Sequence, residues 1–243
     1  MRLDKFLSVS AVASRTDAKR AISKGGVTVN GIVAKKADMS IDEFFDNVVY
    51  CGTPVIYKKY EYVLLNKPEG YVSATDDPKE KTVLDLLPSE LRKKGVFPCG
   101  RLDKNTLGLM LLTNNGELSH RILSPKNHVE KKYYFKARTA MSKSDAERFE
   151  AGVTLEDGYV TKPAKIELLA DGCEGVITLH EGKYHQIKRM LEELDNKIIY
   201  LERISFACFT LEGARLERGE WRYLDQTEIT ELEKIAGFEN INQ

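Results

Sequence analysis

The run Leu107-Gly108-Leu109-Met110-Leu111-Leu112 carries no polar side chain. It falls far short of the roughly 18 apolar residues that span a bilayer, and a run this brief reads as a buried strand. Tyr62-Val63-Leu64-Leu65 and Val176-Ile177-Thr178-Leu179 read the same way, and further strands fit 133–137, 153–160, 165–169 and 198–201. Between them Tyr184 to Leu194 reads as a helix, with Ile187, Met190, Leu191 and Leu194 on one stripe. Strands that outnumber occasional helices imply an α+β domain on a mostly antiparallel or mixed β-sheet with flanking helices. No run is long and apolar enough for a membrane helix, so no membrane partner is expected.

The first part of the chain has a different texture. Ser14-Arg15-Thr16-Asp17 offers an N-cap with an acid three residues on, and Gly25-Gly26 supplies a stop, so the spacing predicts a helix over 15–24. Arg15 and Lys19, and Arg20 and Lys24, lie four apart and stack along its surface, while Ala18, Ala21 and Ile22 form the apolar stripe. Val27-Thr28-Val29 then runs through Asn30-Gly31, a tight-turn dipeptide, into Ile32-Val33. An acidic loop from Asp42-Glu43 to Asp46 and the strand-like Val48-Val49-Tyr50-Cys51 follow. The expected organisation is a small domain and linker over 1–59 and a larger domain over 60–243, which a chain of 243 residues accommodates.

Charge is balanced overall, 37 Lys+Arg against 37 Asp+Glu, but unevenly placed. Residues 1–36 hold eight basic side chains, Lys35 and Lys36 among them, against Asp4 and Asp17; residues 121–138 hold six against Glu130 alone. Two basic stretches suggest a polyanion as ligand. The four cysteines, Cys51, Cys99, Cys173 and Cys208, form no C-x-x-C pair and read as reduced structural thiols. The N-terminal residues contain no secretory apolar core, so a cytoplasmic protein is expected. Neither G-x-G-x-x-G nor G-x-x-x-x-G-K-[ST] occurs, which leaves nucleotide cofactors without their usual fingerprint. His180 and His185 are five apart across Gly182, not in the i, i+4 spacing of a helical metal pair, and no metal is expected.

The pattern Arg2-Leu3-Asp4-Lys5-Phe6-Leu7, Ser14-Arg15, Ala18, Gly25-Gly26-Val27 and Val29-Asn30-Gly31 resembles the S4 RNA-binding domain. The resemblance implies that Arg15, Lys19, Arg20, Lys24, Lys35 and Lys36 meet RNA, and spaced cations of this kind each neutralise a phosphate. The second part resembles the RNA pseudouridine synthases over about 60–225 through four stretches in order. These are Leu65-Asn66-Lys67-Pro68-Glu69-Gly70, Gly100-Arg101-Leu102-Asp103 with Thr106 to Asn114, Glu130-Lys131-Lys132-Tyr133, and Glu181 to Met190. With an S4 domain in front, the whole is similar to the subgroup that modifies small-subunit ribosomal RNA; large-subunit enzymes share the architecture. The implied partner is ribosomal RNA within a small-subunit assembly intermediate, met by a monomer without a cofactor. A non-catalytic RNA-binding or assembly factor and a nucleoside glycosylase are the rival classes, and product analysis on RNA separates all three.

Isomerising uridine breaks the N1–C1′ bond, turns the uracil and joins its C5 to C1′, which needs neither redox equivalents nor a phosphate donor. It needs one ionised carboxylate, as nucleophile or as base, and the resemblance places it at Asp103. Read alone, an Asp before a strand is a turn-capping carboxylate. A carboxylate in a partly dry pocket wants a cation beside it, and Lys188 is the candidate, where much of the superfamily has Arg. Tyr133 shares a strand face with Lys131 and Phe135, and the family stacks such a ring on the target base; Tyr134 points to the other side. Arg101 is implied to fill the space of the flipped uridine or hold its phosphate. Gln186 and Arg189 are expected at the substrate as well, and His185 to orient the helix or touch RNA.

Overall fold

The computed structural model describes residues 1–124 and 126–238. Residues 239–243 of the expected 60–243 domain therefore lie outside the described residues. The chain divides into two compact units. The first comprises Met1–Glu61 together with Pro88–Val96, a segment the sequence reading assigned to the second; the second comprises Tyr62–Leu87 and the chain from Phe97 onward.

In the first unit, α1 (Leu3–Val9) and α2 (Arg15–Ser23) precede β1 (Val27–Val29), β2 (Ile32–Val33), β3 (Val48–Tyr50) and β4 (Thr53–Pro54), and α3 (Ser89–Lys93) belongs to it as well. The Ser14 hydroxyl caps α2 by accepting from the Asp17 N–H at 3.1 Å. Asn30 and Gly31 both take positive φ, 51° and 79°, the geometry that lets a two-residue turn follow the strand twist. The strands pair in the order β2-β1-β3-β4, antiparallel throughout. Leu3, Phe6 and Leu7 of α1, Ala18 and Ile22 of α2, and Val27, Val29 and Val48 of the sheet form one core. That core explains the apolar stripe read from the sequence.

In the second unit, the strands are β5 (Tyr62–Lys67), β6 (Phe97–Pro98), β7 (Leu107–Thr113), β8 (Lys131–Ala137), β9 (Lys165–Leu168), β10 (Glu174–Leu179), β11 (Ile198–Phe206), β12 (Phe209–Thr210) and β13 (Trp221–Tyr223). The helices are α4 (Gly116–Leu123), α5 (Lys143–Ala151), α6 (Gln186–Glu192), α7 (Leu211–Ala214) and α8 (Gln226–Ile235). The sheet runs β13-β5-β7-β11-β8-β10-β9, with β12 on β11 and β6 on β7. The one parallel pairing among the described strands is β7 with β11, so the sheet is mixed and the fold α+β. Leu109, Met110, Leu111 and Leu112 of β7 are fully buried.

Three expectations are corrected. Residues 153–160 do not form a strand: they fold around a turn, with the Gly158 N–H donating to the Leu155 carbonyl at 2.8 Å, and pair only at Thr154 and Val160. Asp157-Gly158 carries turn chemistry, Gly158 at φ 80° and the Asp157 carboxylate accepting from the Tyr159 N–H at 3.1 Å. The helix expected from Tyr184 starts at Gln186, because His185 adopts a left-handed φ of 50°. The strand at 198 does not stop at 201 but continues to Phe206, carrying Arg203 into the interior.

Candidate active site

Asp103 lies on the irregular segment between β6 and β7, and three sets of bonds fix that segment. The Ser73 hydroxyl donates to the Leu102 carbonyl at 2.7 Å and accepts from the Leu102 N–H at 2.9 Å. The Gly70 N–H donates to the Lys104 carbonyl at 2.9 Å, and the Thr106 N–H closes a turn onto the Asp103 carbonyl at 3.0 Å. Beneath them Lys67, wholly buried at the end of β5, points Nζ at four carbonyls: Pro68 at 3.1 Å, Asp103 at 3.1 Å, Lys104 at 3.2 Å and Thr106 at 2.8 Å. Burial pushes this ammonium from 10.5 down to about 8, against the pull of the Asp103 carboxylate. The carbonyls of Leu102, Asp103, Lys104 and Thr106 are thus held from within the protein, while the Asp103 side chain is about a quarter exposed.

Two side chains meet that carboxylate. Lys188 Nζ donates to Oδ2 at 2.6 Å, and His185 Nε2 lies 3.3 Å from Oδ1. Asp103 and Lys188 are each about a quarter exposed, so the pair is open to a substrate yet partly shielded from solvent. Lys188 is carried by α6, which buries Ile187, Met190 and Leu191. The approach to α6 is organised by Glu181, 6% exposed, which accepts from the Tyr159 hydroxyl at 2.8 Å, the Lys162 N–H at 3.0 Å and Gln186 Nε2 at 2.8 Å. Gln186 Oε1 in turn accepts from the Lys183 N–H at 2.9 Å. Gln186, expected at the substrate, is therefore buried with its amide committed inside the protein. Arg189, expected there too, pairs with Asp157 at 2.7 Å, which holds that carboxyl below its usual range.

Tyr133 sits in β8 with its face mates Lys131 and Phe135, all buried, and Tyr134 on the other side reaches the Glu174 carboxylate. Across the sheet Tyr133 is opposite Arg203 of β11, which is opposite Gly108 of β7, so one row leads from the strand after Asp103 to the tyrosine. Gly108 is at φ 100°, and a Cβ there would lie 2.3 Å from the Arg203 carbonyl oxygen, so the row closes only with glycine. The Tyr133 hydroxyl makes no hydrogen bond among the described residues. Arg101 is exposed and has no ion-pair partner among them either.

Of the six cations in the basic stretch 121–138, Lys126 and Arg138 are exposed without an ion pair among the described residues, and the other four are engaged. Arg121 pairs with Glu117, Lys132 with Glu130 and Lys136 with Glu174, while Lys131 is buried with Nζ on the Val129 carbonyl at 2.9 Å. Arg15, Lys19, Arg20, Lys24, Lys35 and Lys36 are all exposed, and among the described residues Arg20 alone of them is ion-paired, with Asp17. The sequence reading missed three buried groups: Lys67, Glu181 and Arg203. Leu201 and Arg203 alternate on one strand face, a signal that Arg203 goes inward; it donates from Nε to the Leu109 carbonyl at 2.7 Å.

Comparison with known proteins places this chain in a family. Residues 61–193 match the model described as RNA pseudouridylate synthase, and residues 1–44 match the S4 domain. The chain belongs to the RNA pseudouridine synthases and is an isomerase. It is 42% identical over 232 residues to the "Uncharacterized RNA pseudouridine synthase YtzG" of Bacillus subtilis, covering 94% of this chain and 97% of that one. It is 39% identical over 234 residues to the "Ribosomal small subunit pseudouridine synthase A" of Escherichia coli, covering 96% of this chain and 100% of that one. A solved structure described as "Crystal structure of pseudouridylate synthase" superposes with a TM-score of 0.66 at 35% identity, covering 96% and 99% of the two chains. Among the described residues no helix is long and apolar enough to cross a membrane.

Proposed function

We propose that this enzyme isomerises a uridine of small-subunit ribosomal RNA, with Asp103 as its catalytic carboxylate. In this reading residues 1–59 grip the RNA and 60–243 carry out the chemistry, as a monomer in the cytoplasm acting on a subunit still being assembled. The observation that carries the assignment is the Asp103 carboxylate, held outward by a fixed backbone and met by Lys188 Nζ at 2.6 Å. Lys188 lacks the bidentate fork of an arginine and engages Oδ2 alone, so Oδ1 keeps only the longer 3.3 Å contact with His185 Nε2. Tyr133 supplies a ring for the target uracil, and Arg101, an unpaired cation two residues before Asp103, takes a phosphate or the space of the extruded base. Gln186 acts through Glu181 to hold α6, and Arg189 braces the 153–160 turn.

The test is to incubate the protein with small- and large-subunit RNAs and map pseudouridine by a chemical-adduct reverse-transcription stop. Wild type gives a new stop in small-subunit RNA, and Asp103→Asn gives none while binding that RNA as tightly. Turnover by Asp103→Asn, or a stop confined to large-subunit RNA, overturns the corresponding half of the reading.

A further inference from the structure

Beside the carboxylate stands a second aromatic group that the assignment above does not use. Tyr184 is 69% exposed, and its ring lies flat on His185, centroids 3.8 Å apart and planes 18° from parallel. His185 in turn lies 3.3 Å from Asp103, so carboxylate, imidazole and phenol ring follow one another outward from the reacting group. A single exposed aromatic on a protein surface is ordinary. This one differs in being held: the imidazole covers one face and fixes the plane, and His185 takes a left-handed φ of 50°, which costs a non-glycine residue energy. The outer face of the ring remains open to solvent, and its hydroxyl makes no hydrogen bond among the described residues.

We infer that the outer face of Tyr184 is a stacking platform for a nucleotide adjacent to the target uridine. The inference rests on Asp103 being the reacting carboxylate. When a uridine is turned out of its strand to reach Asp103, its neighbours lose a stacking partner. A fixed ring two groups out from the carboxylate replaces that partner for one of them. Tyr133, assigned above to the target uracil, is 8% exposed within β8 and leaves no second ring face for a neighbour. The recognised chemistry is the π-face of a base, which every nucleobase has, so the platform orients the strand without choosing its sequence.

The test uses the full chain and an RNA in which wild type forms pseudouridine, together with copies carrying one abasic nucleotide immediately 5′ or 3′ of the modified uridine. Tyr184→Ala raises KM for intact RNA about 5- to 150-fold, the equivalent of roughly 1–3 kcal/mol for one stacked base, and lowers kcat by much less. Tyr184→Phe keeps the ring and restores KM. On one of the two abasic RNAs wild type and Tyr184→Ala converge, which identifies the stacked neighbour. An unchanged KM in Tyr184→Ala overturns the inference, as does a penalty that persists undiminished on both abasic RNAs. Asp103→Asn run alongside separates the two readings: turnover in that variant removes the carboxylate assignment, whereas an inactive Asp103→Asn with an indifferent Tyr184→Ala removes the platform alone.

Discussion

Replacing Lys67 by methionine should cost far more activity than stability. Methionine keeps an apolar stem in a fully buried position and removes the ammonium that faces four carbonyls. Two effects on stability oppose each other. The displacement of Lys67 from 10.5 to about 8 reflects a burial cost of roughly 3 kcal/mol, which the variant no longer bears. Against that, the carbonyls lose their donor. Those of Asp103 and Lys104 belong to residues partly or fully open to water, but Thr106 is 2% exposed, and one orphaned buried acceptor costs about 1–3 kcal/mol. The two nearly cancel, leaving a change within about 2 kcal/mol and a melting shift of a few degrees. Position is another matter, because the same ammonium holds the carbonyl of Asp103 itself at 3.1 Å. A displacement of about 1 Å in a reacting group can lower a rate by about 100-fold. Single-turnover pseudouridine formation on saturating RNA, beside a thermal melt, measures both. A folded Lys67→Met that turns over at the wild-type rate refutes the clamp, and a melt that collapses in step with activity shows that Lys67 supports the fold as a whole.

Tyr133→Ala should damage turnover far more than Tyr134→Ala, since Tyr134 faces Glu174 and Tyr200 on the other side of the strand. Tyr133→Phe divides the role: near-normal turnover means stacking alone, while normal RNA binding with slow turnover means the hydroxyl moves the C5 proton. Equal impairment at both tyrosines in the same single-turnover assay refutes the assignment. Lys131 carries a pH prediction, because burial, helped by the charge of Arg203, pushes it from 10.5 to about 8. The unfolded chain then binds the extra proton between those values, so the contribution of this residue to stability is lowest at neutrality and rises as pH climbs through the window. Urea midpoints of Lys131→Met and wild type should therefore shift in favour of wild type between pH 7 and pH 10, and a constant gap argues against a buried ammonium. Substituting Arg15, Lys19, Lys24 and Lys36 together by Gln should weaken RNA binding and reduce the slope of log affinity against log salt by about 0.7–0.9 per lost phosphate contact. An unchanged slope removes them from the RNA interface. Charge substitution is the better probe than deletion of 1–59, since Pro88–Val96 belongs to the same unit.

The first unit was legible because its signals are local. Ser14 capping Asp17, the Asn30-Gly31 turn and the Ala18 and Ile22 stripe each depend on residues within a few positions of one another. The 153–160 segment shows the limit of alternation: Asp157-Gly158 was a turn signal inside an apparent strand, and the turn prevailed. The Asp103–Lys188 pair spans 85 residues, and no spacing rule reaches that far, so family resemblance had to supply it. The burial of Gln186 was illegible for a different reason. Its type suits RNA contact, but the residue that engages it, Glu181, is itself buried, and a carboxylate in a loop gives no sign in sequence that three donors converge on it.

Buried cations were the least legible of all, and they share a physical cause. Lys67, Lys131 and Arg203 are each less than 9% exposed, where charged side chains are rare unless paired. Among the described residues, carbonyl oxygens and an aromatic face meet them directly: four carbonyls for Lys67, Val129 for Lys131, Leu109 for Arg203, and the Phe206 ring for both Lys131 and Arg203. One Arg203 nitrogen has no hydrogen-bond partner among the described residues. Neutral acceptors engage these N–H groups without cancelling the charge, and the lowered values of Lys67 and Lys131 record what burial costs them. A core built for stability alone would replace such groups by apolar ones. Lys67 is kept where its ammonium gathers the carbonyls of Asp103, Lys104 and Thr106 onto one point, a convergence that no apolar side chain can make.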